Sequence, residues 1–336
     1  MSPQASTSCS SERGDQTDGT AQFIDHPSGF LAVSPRNERF SLDGCPGFVS
    51  FREQGRHLVS FGGAHAPPES AAKLLDGFVK FAKARRRRVL IVQARETQVP
   101  LLRGLGFRVN QFGTTYSLRL DGYSFSGAAK MKLRNKLRRA QRAGLKVMEI
   151  GRELPRTPAS FDLLHQISDA WLAKKHKKEL DFMIGEIGTP QDVRRRVFLV
   201  QDRVGKSLGF ITYVPAWCDK PGMLHDLTRR VPTAPPGTME LCNAFAMERF
   251  RGEGVQHLHF GFTPFIVDER EPEGGNRLFA WITRKLRRYG SAIYPADSQA
   301  QYKLKWGIDH TECEYVAARP LSLRSIWDLL LLTRSL

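Results

Sequence analysis

From Phe40 onward the apolar residues recur with a period that switches between two and about 3.6, and this alternation of strand and helix signatures commits the chain to a mixed α/β architecture. Phe48-Val49-Ser50-Phe51 and His57-Leu58-Val59-Ser60-Phe61 pattern as strands, Gly62-Gly63 interrupts them, and Ser70 to Arg85 places Ala71, Leu74, Leu75, Phe78 and Phe81 on one helical face. Val89-Leu90-Ile91-Val92 reads as a buried strand, Val99 to Leu105 as a short helix, and Phe107-Arg108-Val109 with Thr115-Tyr116-Ser117-Leu118 as a strand pair completing one unit. The second half repeats the sketch. A helix over Ser160 to Lys175 precedes strands at Val197 to Val200, Leu208 to Tyr213 and Met223 to Leu227. A helix from Met239 to Phe250, the strand His257-Leu258-His259-Phe260, a helix over Arg277 to Tyr289 and the closing strand Cys313-Glu314-Tyr315-Val316 follow.

With 336 residues, 41% of them apolar, the chain has length for about two domains with a core in each. Residues 1 to about 21 are rich in Ser, Thr, Gly and Asp and cannot offset the entropy of ordering, so 1–25 is expected as a disordered tail. The expected divisions are then a first unit over 26–122, a connecting helix over 123–150, a second unit over 151–318 and a C-terminal helix over 319–336. No basic segment followed by an apolar stretch opens the chain, and no run of about 18 apolar residues could span a bilayer, so a cytoplasmic protein is expected. Cys9, Cys45, Cys218, Cys242 and Cys313 are widely spaced and lack a CxxC pair, so they read as reduced thiols, with no metal site.

Lys and Arg number 51 against 34 Asp and Glu, a formal charge of +17 that points to a polyanion or an anionic membrane surface. No acidic residue falls between Gly122 and Met148, where Lys130, Lys132, Arg134, Lys136, Arg138, Arg139, Arg142 and Lys146 are gathered. Met131, Leu133, Leu137, Ala140 and Ala143 supply an apolar stripe and Gly144 a C-terminal stop, so a packed helix with a basic outer face is expected. Phosphates neutralised by that face release counterions, so its binding should fall steeply as salt rises; the alternative is a solvated charged face. Arg85 to Arg88, Lys174 to Lys178, Arg194 to Arg196 and Arg284 to Arg288 would enlarge the surface if they fold to one side.

Three blocks in the last third carry chemistry. In His225-Asp226-Leu227-Thr228-Arg229, Asp226 and Arg229 stand three apart at a strand exit, where a carboxylate can orient or deprotonate an acceptor and a guanidinium can hold a phosphate or oxyanion; a structural ion pair is the alternative. Pro235-Pro236-Gly237-Thr238 ends a loop at a helix start, with Thr238 able to cap it and Glu240 in the first turn. Phe260-Gly261-Phe262-Thr263-Pro264 follows. In Tyr302-Lys303-Leu304-Lys305-Trp306 a strand would send Lys303 and Lys305 to one face and Tyr302 and Trp306 to the other.

In this order the blocks resemble the C-terminal domain of phosphatidylglycerol lysyltransferases, over about residues 40–317. Weaker correspondences lie at Gly106-Phe107 with Phe112-Gly113, at Leu133 to Lys136, at Asp169 to Leu172 and at Lys178 to Phe182. The resemblance implies two tandem acetyltransferase-like (GNAT) domains joined by a basic helix, and transfer of an amino acid from charged tRNA to an acceptor hydroxyl. It implies catalytic roles for Asp226, Arg229, Glu240, Lys303 and Lys305, and tRNA contact by Lys132, Arg134, Lys136, Arg138, Arg139 and Arg142. The aminoacyl ester is already activated, so the charged tRNA is a co-substrate and no cofactor is expected. Two departures stand out: Glu240 falls where Asp is commoner, and Gly62-Gly63-Ala64-His65 where many members carry Gly-Asp-Pro. The flippase portion of membrane-lipid members is absent, so the expected acceptor is a soluble small molecule of a biosynthetic pathway, attacking through a hydroxyl or an amine; lipid stays open, with Ile326-Trp327 and Leu329 to Leu332 as a membrane contact or, alternatively, core.

Two other functions compete. Arg249-Phe250-Arg251-Gly252-Glu253-Gly254 fits the R-x-x-G-x-G loop of acetyl-CoA-dependent enzymes, but it ends a predicted helix instead of opening one. A non-catalytic RNA-binding protein would use the basic helix without Asp226, Arg229 or Lys305.

Overall fold

The computed structural model describes residues 18–175, 182–183, 185–268, 275–289 and 295–334. Residues 1–17 of the expected tail with Cys9, and 176–181 with most of the Lys174 to Lys178 cluster and of the Lys178 to Phe182 match, lie outside the described residues. A one-turn helix α1 (Asp18–Ala21) leads to β1 (Glu38–Leu42), β2 (Cys45–Gln54), β3 (His57–His65), α2 (Pro68–Ala84), β4 (Arg88–Arg95), α3 (Val99–Gly104) and β5 (Arg108–Arg119). The basic helix α4 (Met131–Arg142), β6 (Lys146–Ile150), α5 (Pro158–Lys175), β7 (Arg196–Gln201), β8 (Ser207–Ala216) and β9 (Gly222–Arg230) follow. The chain ends with α6 (Thr238–Gly252), β10 (His257–Pro264), α7 (Arg277–Tyr289), α8 (Ala296–Leu304), β11 (His310–Ala318) and α9 (Leu323–Leu332).

All eleven strands form one mixed sheet in the order β1-β2-β3-β4-β11-β5-β10-β9-β8-β7-β6. The expected division at 122, 150 and 318 therefore does not separate two sheets. β11, expected to close the second half, lies antiparallel between β4 and β5 of the first, with Glu314 opposite both Arg95 and Gly113. β5 joins the halves, pairing with β11 on one side and β10 on the other, and is one strand where the sequence suggested two. It is buried on both faces from Val109 to Leu118, with Val109, Phe112 and Tyr116 in three different cores, a signal that the polar residues Asn110, Gln111, Thr114 and Thr115 obscure in the sequence.

Helices cover both faces. Leu74, Leu75 and Phe78 of α2 pack on Phe51, Leu58 and Ile91, while Ile24, Phe279 and Leu329 meet Phe61, Leu90 and Val316 on the other side. The tail expectation for 1–25 thus fails at its end. Ile24 is buried in that core, His26 bridges to Trp217 through the backbone and the Asp25 carboxylate accepts from Arg95 at 2.7 Å, so one apolar side chain, one backbone link and one ion pair hold this end of the segment. In the second half Leu133 and Ala140 of α4 pack with Met239 and Phe250 of α6. The connecting helix is shorter than the expected 123–150: Gly144, at φ +73°, ends it, and 146–150 becomes the edge strand β6 paired to β7. α9 docks through Leu329 and Leu332 and leaves Trp327 exposed. Among the described residues no helix is long and apolar enough to cross a membrane.

Candidate active site

β9 and β10 run parallel only from Gly222 opposite His257 to Leu224 opposite His259, and beyond that point they diverge. The divergence opens a cleft of about 850 Å³, lined by His225 to Arg230 of β9, Phe260 to Phe262 of β10, the start of α6 and the end of α8. Two glycines shape it. Gly261 at φ +68° kinks β10 where a bulge interrupts its register with β5. Gly237 at φ +95° starts α6 where a Cβ would run into the carbonyl oxygen of Lys136, so only glycine brings α6 against the basic helix. Gly237 is the N-cap, and the expected Thr238 cap is not formed: the Thr238 hydroxyl donates back to Pro235 O at 2.6 Å.

The last block is helical, not a strand as expected. Lys303 lies in the final turn of α8 and Lys305 caps it, because Ala296, Ala300 and Lys303 recur at helical spacing on the buried side. Both amines nevertheless reach the cleft. Lys303 Nζ donates to the carbonyl oxygens of Gly261 and Phe262 at 2.8 and 2.9 Å, so the kinked second block grips the third. Burial, opposed in part by Glu314, brings the Lys303 amine down to about 7. Lys305 Nζ sits 3.6 Å from the Tyr302 ring centroid and donates to Glu240 Oε1 at 2.7 Å, so Tyr302 does not face away from it as the strand reading required. Burial lowers Lys305 to about 8 against the pull of Glu240.

Glu240 joins the chemical blocks to the basic helix. Its Oε1 also accepts from Lys136 Nζ at 2.9 Å, and although burial favours the neutral acid, Lys305 and Lys136 outweigh it and hold the carboxyl at about 2. Asp226 and Arg229 are not partners. Asp226 is buried against Arg195 and accepts from Thr212 Oγ1 at 3.4 Å; burial raises its carboxyl and Arg195 opposes the rise. A bulge in β9 between Ile211–Thr228 and Tyr213–His225 sets this geometry, and the Asp-x-x-Arg spacing cannot show it. The Arg229 guanidinium lies 4.2 Å from the Trp171 ring centroid. Of the charged lining residues, Lys136, Arg229, Arg230, Lys303 and Lys305 face two carboxylates already bound to cations, so the cleft suits an anion.

Of the expected tRNA contacts, Lys132, Lys136, Arg138, Arg139 and Arg142 are exposed on α4, whereas Arg134 is held by the carbonyls of Phe125 and Gly127 at 2.8 and 2.5 Å. Of the secondary basic clusters, Arg195 and Arg196 belong to internal ion pairs, Arg196 with Glu149 and Glu253. Arg249 likewise binds Glu149 and Glu153, and Gly254 at φ +79° caps α6, which removes the acetyl-CoA loop geometry. Sequence reasoning missed His225, Arg195 and Asn243. His225 Nδ1 donates to Asn243 Oδ1 at 3.2 Å and its Nε2 accepts from Thr228 Oγ1 at 2.5 Å, and burial followed by Lys303 lowers the imidazole to about 3, so it is neutral. Its place at the head of the first block was the available signal.

The family model for the phosphatidylglycerol lysyltransferase C-terminal region matches residues 19–318. The chain is 24% identical over 222 residues to the lysylphosphatidylglycerol biosynthesis bifunctional protein LysX of Mycolicibacterium gilvum, covering 64% of this chain and 20% of that protein. It thus spans about a fifth of the length of that relative. Among solved structures it resembles the C-terminal domain of an Agrobacterium fabrum protein described as a lysylphosphatidylglycerol synthetase, with TM-score 0.76, 20% identity and coverage of 94% and 96% of the two chains. It also resembles L-PGS from Bacillus licheniformis, with TM-score 0.72, 21% identity and 91% coverage of each.

Proposed function

Because the chain belongs to the phosphatidylglycerol lysyltransferase C-terminal family, we propose that it is an aminoacyl-tRNA-dependent aminoacyltransferase, passing an amino acid from charged tRNA to an acceptor hydroxyl. One observation carries the reading: Lys136 of the basic helix and Lys305 of the last block meet on the same Glu240 oxygen, so the basic face of α4, suited to phosphates, runs directly into a cationic cleft. In the reaction the acceptor oxygen bonds to the ester carbonyl carbon, and collapse of the tetrahedral intermediate breaks the bond to the tRNA ribose oxygen, which receives the proton the acceptor lost. Lys303 suits that proton transfer. In its neutral form both N–H bonds are occupied by the Gly261 and Phe262 carbonyls, leaving the lone pair as acceptor. Asp226, committed to Arg195, positions β9 and does not take the proton. Protonated Lys305 and Arg229 hold the tRNA terminus and the developing oxyanion, and Lys132, Arg138, Arg139 and Arg142 grip its phosphates. The charged tRNA is the only co-substrate, and no cofactor takes part.

The names of the relatives support a lipid headgroup as the source of the acceptor; a soluble product of a biosynthetic pathway is the alternative. Purified protein incubated with pooled radiolabelled aminoacyl-tRNAs and a cell extract, with RNase pretreatment as control, tests this. RNase-sensitive label in the lipid or small-molecule fraction supports the reading and identifies the source, and turnover of acetyl-CoA without RNase-sensitive transfer overturns it.

A further inference from the structure

The end of the cleft away from the basic helix has a different character. Gln93 of β4, four strands across the sheet from β9, lies there, and Ser28, Leu31 and Met183, which share the cleft lining, are uncharged like it. Three observations single out Gln93. Its backbone is in the left-handed region at φ +53°, which a non-glycine residue adopts at a cost of about 1–3 kcal/mol. It lies on a bulge: Tyr315 of β11 stands opposite Ala94 and Ala317 opposite Ile91, so Val92 and Gln93 together face Val316. Such a bulge redirects a side chain out of the alternation of its strand. Finally, the residue is 1% exposed, yet neither Oε1 nor Nε2 finds a hydrogen-bond partner among the described residues. A strained, buried and unpaired carboxamide destabilises the fold on its own.

We infer that Gln93 is the recognition group of an acceptor subsite at the neutral end of the cleft, binding an uncharged, hydroxyl-bearing portion of the acceptor. The carboxamide pairs fully only with a group that both donates and accepts. An ammonium would leave Nε2 unpaired and a carboxylate would leave Oε1 unpaired, whereas neighbouring hydroxyls satisfy both. The phosphate-rich donor belongs at the cationic end near Lys136 and Lys305, which leaves the neutral end for the acceptor. This rests on the aminoacyl-transfer reading and adds the chemistry of the second substrate. The same hydroxyls occur on a lipid headgroup and on a free polyol.

The test compares wild-type protein with Gln93→Leu, using pooled labelled aminoacyl-tRNA. The acceptor is titrated as glycerophosphoglycerol in solution and as phosphatidylglycerol in phosphatidylcholine vesicles, which separates the two sources. Loss of two hydrogen bonds should raise the acceptor KM about tenfold or more while the KM for aminoacyl-tRNA is unchanged. The variant should melt no lower than wild type, since it removes an unpaired buried group. An unchanged acceptor KM, a raised aminoacyl-tRNA KM, or a fall in Tm showing that a buried water satisfies Gln93 would each overturn the inference. If wild-type protein transfers to neither acceptor, the transfer reading fails for them and Gln93 is judged by calorimetric binding of glycerophosphoglycerol: binding lost in Gln93→Leu supports the subsite, and equal or absent binding by wild type refutes it.

Discussion

Glu240→Gln tests whether one carboxylate couples the basic helix to the cleft. The folded protein holds Glu240 at about 2 against an ordinary value of 4.5, a difference that corresponds to about 3 kcal/mol at about 1.4 kcal/mol per tenfold change in proton affinity. The Glu240 side chain is only 9% exposed, but Lys136 is 50% exposed and its share is screened, so about 2 kcal/mol is the expected loss. A depressed carboxylate stabilises above its unfolded value and loses that effect as pH falls through its folded value. The difference between wild type and variant should therefore be full near neutrality and vanish as pH drops from about 4.5 to about 2. Urea denaturation of both proteins across that window measures it, and a cycle with Lys305→Met apportions the coupling. A loss below about 0.5 kcal/mol, the range of ordinary surface substitutions, or one that does not change with pH would refute the coupling.

Three further outcomes follow from the geometry. If Lys303 accepts the proton and Lys305 must keep its own, kcat/KM rises through about pH 7 and falls above about pH 8. Lys303→Met should abolish the rising limb and slow transfer by about 10²–10⁴-fold. The folded protein binds fewer protons than the unfolded chain between about 7 and 10.5 at this amine, so wild-type stability should improve relative to Lys303→Met as pH rises across that range, read by urea denaturation. Gly237→Ala should cost at least about 2 kcal/mol, from the left-handed backbone and the collision with Lys136 O, and should weaken tRNA binding in a filter assay by displacing α4. Asp328→Ala should cost about 3 kcal/mol in a thermal melt while leaving the cleft intact, because it strands the buried His57 Nδ1 and Arg56 N that Asp328 accepts from at 2.7 and 2.9 Å.

Much of the architecture was legible because local patterning and tertiary demand agree. α2 shows its stripe of Leu74, Leu75 and Phe78, α7 matches its expected limits, and the single-sign run from Lys130 to Arg142 does form a helix with its charges outward. Elsewhere local signals misled. Tyr302-Lys303-Leu304-Lys305-Trp306 alternates like a strand over five residues, but the preceding Ala296 and Ala300 draw it into a helix. The single acid-free run from Gly122 to Met148 concealed a turn, a helix and a strand, since charge says nothing of backbone period.

By itself, the sequence determined the α/β class, the family and the identity of the chemical groups, because hydrophobic period and short motifs are local properties of the chain. Only the tertiary structure decided their partnerships. β11 enters the first half of the sheet from the end of the chain; Arg195 claims Asp226 across 31 residues; Glu240 receives Lys136 from 104 residues away and Lys305 from 65. Pairings of that kind depend on which strands become neighbours and where bulges turn a side chain. The free energy that selects among them comes from burial of the whole sheet, and no single segment encodes it.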